Sequence, residues 1–111
     1  MKILGFGTET GKPLTAFGSR GVVIARLPQA HPDAVIHWMY LEPGGTVGYH
    51  QAEDAQLFCV VQGEGWVLGR DAKRLPIAAG QAAYWESGEW HESGTETGMR
   101  VIVIEAEKFD E

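Results

Sequence analysis

The sequence holds one cysteine, Cys59, so no disulfide can form within the chain. A lone thiol fits a reducing compartment better than a cross-linked secreted scaffold. Long hydrophobic runs are missing as well. The longest, such as Val101 to Ile104, fall far short of the roughly 20 apolar residues that a bilayer-spanning helix needs. There is no basic stripe: 9 Lys and Arg face 15 Asp and Glu, giving a net charge of −6. With a pI near 5.1 such a surface repels phosphate backbones, which argues against a nucleic-acid partner. The segment Met1-Lys2-Ile3-Leu4-Gly5 has one cation and no apolar core before Thr8-Glu9, unlike a signal peptide. The expectation is a cytoplasmic protein with neither membrane nor nucleic acid as partner. Helical periodicity is also lacking over any run of eleven or more residues.

What the chain does have is glycine, 15 residues of it, spread between short apolar runs. Gly21 to Leu27 is rich in Val and Ile and ends at Pro28; Ala34 to Leu41 ends at the turn Glu42-Pro43-Gly44-Gly45. Thr46 to His50 is short and extended, and Gln56 to Gln62 is nearly continuous in apolar residues, as in a strand buried on both faces. Gly63-Glu64-Gly65 reads as a turn into Trp66-Val67-Leu68, and Gly69-Arg70-Asp71 as a reversal into Leu75 to Ile77. Gln81 to Trp85 and Met99 to Glu107 complete the set. Many short strands spaced by turns indicate an all-β barrel or sandwich. With no linker in view, one domain is expected over 1–111, its barrel core at about 34–106.

Two stretches place a histidine beside tight turns. The first runs from Gly44 through His50 and Gln56 to Gly63; the second runs from Gly80 through Gly88 to His91. Together they resemble the two signature motifs of the cupin superfamily. In the first motif Gly44, His50 and Gly63 are in register, with Ala52 at the second histidine position and Gln56 at the glutamate position. In the second, Gly80, Gly88 and His91 match, while Glu86 stands for the proline and Thr95 for the asparagine. The short stretch between the motifs is like that of small microbial cupins. The resemblance implies a double-stranded β-helix, or jelly-roll, barrel with a pocket centred on His50 and His91.

In metal-binding cupins three His and one Glu converge on Fe, Mn, Ni, Zn or Cu, and His-x-His serves that purpose because a strand's period of two points both rings inward. Here Ala52 removes one ligand and Gln56 offers only a neutral amide oxygen, a poorer set than two His and a carboxylate. Glu89, two residues before His91, could share its face and restore a carboxylate, or sit in a solvated turn; Glu53 is a second candidate. The resemblance therefore leaves two readings. One is a binding module in which His50, Gln56 and His91 hold a small polar molecule between walls such as Tyr40, Tyr84 and Trp66, with a metal optional. The other is a metal-dependent dioxygenase or isomerase with His50, His91, and Gln56 or Glu89 as ligands. Whether the protein is an enzyme is left open.

Other residues have plainer readings. His37 shares a strand face with Met39 and Leu41, so it either enters the barrel as a replacement imidazole or serves as an ordinary core or surface histidine. His31 before Pro32 reads as a loop residue, and Trp90 as a rim or interface residue. Glu86, Glu89, Glu92 and Glu96 around His91 either focus a negative field or form a solvated face. Cys59, with no base partner in view, reads as a small apolar core residue. Exposed edge strands lead to the expectation of a homodimer.

Overall fold

A computed structural model describes residues 1–110. The amino-terminal part forms β1 (Lys2–Gly5), β2 (Lys12–Pro13), β3 (Val23–Ile24) and β4 (Gln29–Ala30). Then come β5 (Val35–Leu41), β6 (Thr46–Gln51), β7 (Ala55–Leu68) and β8 (Leu75–Ala78). The chain continues through β9 (Gln81–Trp85), β10 (Trp90–Gly94), β11 (Met99–Ala106) and β12 (Phe109–Asp110). The fold is all-β, with two three-residue 3-10 turns as its helical content among the described residues.

The architecture follows from one long strand. β7 has 14 residues, and its first half pairs with β9 and β11 while its second half pairs with β8 and β10. It therefore belongs to both walls of the barrel, with β5 added outside β11 and β6 outside β10. The crossing point is at Gly63-Glu64-Gly65. The glycines expected to form a turn there instead let a continuous strand bend. Gly63 has φ +88°, and a Cβ on it would collide with the Gly98 carbonyl. The register against β11 slips beside it, where Arg100 pairs with Gln62 but Val101 with Val60, leaving Val61 unopposed as a bulge. Two further expectations are corrected. Gly21 to Leu27 yields only the two residues of β3, because they pair only with the short β2. Trp90 to Gly94, not singled out as a strand, is the central β10.

Alternation along the strands sorts side chains into two clusters. Phe58 and Val60 of β7, Ala83 and Trp85 of β9, and Met99, Val101 and Val103 of β11 face the barrel interior. Leu57 and Cys59, Ala82, and Ile102 and Ile104 face outward, where Leu4, Phe6, Leu27, Ala30 and Phe109 cover them. Burying such side chains contributes about 25 cal/mol per Å² of apolar surface, the main term favouring the barrel.

Candidate functional site

His50 and His91 sit directly opposite one another in the β6–β10 pairing. Their rings meet edge to face with centroids 4.4 Å apart. His91 is buried, whereas His50 is exposed at the mouth of the barrel. Behind His91 the indole of Trp85 stacks at 4.3 Å with an interplanar angle of 20°. Trp85 is itself fixed by an indole N–H donated to the Leu68 carbonyl at 3.1 Å and by an edge contact with Phe58. The loops that end at the two histidines are tied together. Gln51 donates to the Gly88 carbonyl at 3.0 Å, the Ser87 hydroxyl donates to the Glu53 carbonyl at 2.7 Å, and the Ala52 amide donates to the Glu89 carbonyl at 3.0 Å.

The tautomer of both rings follows from their neighbours. His50 Nδ1 lies 2.6 Å from the Gly48 carbonyl and His91 Nδ1 lies 3.2 Å from the Glu89 carbonyl. A carbonyl oxygen only accepts, so each Nδ1 carries the proton and, in the neutral ring, each Nε2 keeps a free lone pair. Burial holds the His91 pKa below its ordinary value of 6.5; repulsion from a protonated His50 lowers it further, against the opposing pull of the Glu89 backbone and charge. In its neutral form the pair thus offers two Nε2 lone pairs.

The Cupin domain family profile matches residues 37–105. The chain belongs to the cupin family. This cupin is 39% identical over 54 residues to an oxalate-binding protein of Thermotoga maritima, a match that covers 48% of this chain and 44% of that protein. Among solved structures it is similar to a predicted oxalate decarboxylase of the same organism, with TM-score 0.58 and 27% identity, covering 63% of each chain. It also resembles an RmlC-like cupin of Methanocaldococcus jannaschii described as a double-stranded β-helix, with TM-score 0.63 and 13% identity over 72% of this chain and 78% of that one. The chain thus spans less than two thirds of the length of both Thermotoga proteins. The family and the double-stranded β-helix fold are those expected from the histidine and glycine motifs.

Within this cupin the other expected site residues are less well gathered. Gln56 shares the inward parity of Phe58, and its amide donates to the Glu105 carboxylate at 3.4 Å rather than to either histidine. Glu105 itself was missed at the level of sequence, although it is the one acid in the inward row Met99, Val101, Val103, Glu105 of β11. Trp85, the stacking partner of His91, was not singled out from the other aromatics. Three aromatics proposed as pocket walls lie outside the barrel, each for the same reason of parity. Tyr40 alternates with the inward Met39 and Leu41, is 59% exposed, and meets Trp38 and Arg100. Tyr84 precedes the inward Trp85 and packs edge to face on Phe109 in the outer cluster. Trp66 precedes the inward Val67 and lies under the Arg74 guanidinium, 3.8 Å from its ring centroid.

Glu89 is neither a solvated turn residue nor a companion of the histidines. It is 3% exposed, and one carboxylate oxygen accepts from the Met1 ammonium at 2.9 Å and from the Arg70 amide at 3.4 Å. The other accepts from the Glu86 amide at 3.1 Å. Its carboxylate is committed, so the expectation of Glu89 as a metal ligand is corrected. Among the described residues no three His, Cys, Asp or Glu are gathered to hold a metal ion. The donors that fit one are the two Nε2 atoms: an open pair of imidazoles in the right tautomer, without the third histidine or the carboxylate of a closed set. His37 has the inward parity of Met39 but is exposed; His31 is half-buried, with Nε2 3.0 Å from Asp110 Oδ1. Trp90 stacks on Tyr49 at the rim with centroids 5.3 Å apart. Burial pushes the Cys59 thiol up to about 11, which removes it as a nucleophile.

Proposed function

We propose that this cupin binds a small polar molecule at the His50–His91 pair, with Gln56 and Glu105 as the polar lining and a divalent transition metal (Fe, Mn, Ni, Zn or Cu) as an optional component. The observation that carries the reading is the tautomer of the pair. With both Nδ1 protons committed to main-chain carbonyls, the rings in their neutral form present only lone pairs. Such a site takes a hydrogen-bond donor or a cation directly, and repels the oxygen of an anion. The names of the Thermotoga relatives make oxalate the first ligand to try. A dicarboxylate would therefore enter through a metal ion shared between His50, His91 and the ligand's own oxygens.

The test is calorimetric titration of chelator-treated protein with oxalate, with Mn²⁺ or Ni²⁺ alone, and with oxalate after metal. Metal binding, followed by oxalate binding only in its presence, is the expected result, and both should be lost in His50→Ala. That side chain is exposed, so its loss does not threaten the fold. Equal oxalate affinity without metal would overturn the reading of the tautomers. Metal binding that survives His50→Ala would move the site elsewhere.

The same free lone pairs favour a second reading, a metal-dependent dioxygenase or isomerase. A bound divalent ion would supply Lewis-acid polarisation of a substrate oxygen. His50 and His91 would hold the ion, and the Trp85 and Phe58 faces would keep water from its inner side. Turnover of an organic substrate by the metal-loaded protein separates this from simple binding. The homodimer expected from the exposed edges belongs to the same proposal, because β5 and β6 each pair on one side only.

A further inference from the structure

Two acids of the barrel are withdrawn from solvent, and they are treated differently. Glu89 is met by an ammonium and two amides. Glu105 is half-buried and has no such company. It continues the row of Met99, Val101 and Val103, which face the inner core, and its register partners are Gln56 on β7 and Val35 on β5. Among the described residues no Lys, Arg or terminal ammonium pairs with it. Its contact is the Gln56 amide at 3.4 Å, a neutral group that leaves the charge uncompensated. A partly desolvated carboxylate without a counter-charge costs free energy that a bound cation recovers.

The same contact decides how Gln56 stands. A carboxylate only accepts, so the atom turned towards Glu105 is the amide nitrogen. The amide oxygen diverges from it and is left to the other side of β7, where Gln56 pairs with Trp85, the residue stacked on His91. From the histidines outward the site thus offers two Nε2 lone pairs, an amide oxygen and a carboxylate. One metal ion cannot serve both ends of this series. Trp85, Gln56 and Glu105 stand side by side on three adjacent strands, which sets Glu105 about 10 Å from the strand beneath His91. Consistent with that separation, Glu105 does not join the histidines in any group of three metal-binding side chains among the described residues. What occupies both ends is a molecule several atoms long.

We propose that the small polar molecule bound by this cupin carries an ammonium group at its end remote from the histidines, with Glu105 as the counter-charge and the Gln56 oxygen as the acceptor beside it. The inference rests on the His50–His91 reading above and names the ligand class of that site. An ammonium has three N–H donors and no acceptor, which suits a carboxylate flanked by an amide oxygen. The near end of the ligand meets the histidines directly if it too is an N–H donor, or through a metal ion if it is a carboxylate. Glu105 is then the residue that tells an amine from a second carboxylate at the far end.

Propane-1,3-diamine, 4-aminobutanoate and glutarate share a trimethylene spacer and differ only in which ends carry ammonium or carboxylate. Calorimetry would titrate the diamine into chelator-treated protein, and the other two into protein loaded with Mn²⁺. The diamine is expected to bind, and 4-aminobutanoate to bind about tenfold or more tighter than glutarate. Glu105→Gln should erase that preference, Glu105→Lys should invert it, and Glu105→Asp should keep its sign. A general folding defect weakens both ligands and leaves their ratio unmoved, so the ratio reads the role of Glu105 alone. A ratio unchanged in Glu105→Lys, a native preference for glutarate, or no binding of either amine overturns the proposal; Mn²⁺ binding that is lost in His50→Ala would still uphold the histidine site. Amine binding that survives His50→Ala but falls in Glu105→Lys upholds the role of Glu105 and sinks the histidine reading instead.

Discussion

No residue before Leu41 is buried, whereas the stretch from Leu41 to Phe109 holds every buried side chain among the described residues. The family match at 37–105 covers nearly the same stretch. The barrel is thus made mostly by the chain from β5 onward, and the residues before β5 form a skin and an arm. That skin reaches inside at few points. Met1 and Ile3 pack against the inner cluster, Leu4, Phe6, Leu27 and Ala30 lie on the outer one, and the Met1 ammonium meets Glu89. The contrast implies that stability and the histidine pair are properties of the later region, while the earlier one tunes exposure.

The largest test of that division is Trp85→Ala. Trp85 is 0% exposed and touches both Phe58 and His91. Its truncation should cost about 3–5 kcal/mol in urea unfolding and loosen His91 as well. A cost below that of an ordinary surface change would mean that the later region is not the stable core.

Glu89 joins the two regions, so its replacement comes next. Glu89→Gln removes the charge that faces the Met1 ammonium and sets its NH2 against a donor on one side, either the Glu86 amide or the Arg70 amide and the ammonium, at a cost of about 3 kcal/mol. Burial by itself raises the Glu89 pKa, but the ammonium and the amides outweigh it and hold the carboxyl below its ordinary 4.5. Its contribution is therefore complete above that value and is lost as pH falls through the folded-state pKa. His91 is shifted downward too, so in metal-free protein it favours folding above pH 6.5, and that part fades first on acidification. Stability against pH should fall in two stages. His91→Asn should remove the upper stage and Glu89→Gln the lower, as read from urea midpoints in a pH series.

The fold was legible because strands announce themselves by alternation and glycine turns, and because the spacing Gly44–His50–Gly63 and Gly80–Gly88–His91 is itself a geometric statement. The pocket walls were less legible, since aromatic type was taken before parity. Tyr40, Tyr84 and Trp66 each neighbour an inward residue and so must face out. The parity argument also failed for Glu89, because the residue lies in the turn before β10 begins and the period of two does not yet apply. Its partner is 88 positions away, beyond any local pattern. Gly63-Glu64-Gly65 was ambiguous for a different reason. The same glycines that make a turn also let one strand bend between two walls, and only the pairing partners decide.

The smallest effect on stability should come from loosening the skin. Leu27 is half-buried on the outer cluster, so Leu27→Ala should cost only about 1 kcal/mol. Its kinetic signature is sharper. Cys59 lies under that skin at 4% exposure, with its thiol pushed up to about 11 by burial, so a thiol reagent reaches it only when something opens. If the residues before β5 peel from an intact barrel, labelling will outpace global unfolding and depend weakly on urea, because little surface is exposed in the opening. Leu27→Ala should then speed labelling several-fold, whereas Trp85→Ala should act through the strongly urea-dependent global route. Labelling of both variants with the full urea dependence of unfolding would show that skin and barrel open together, and the division between the two regions would be one of burial alone.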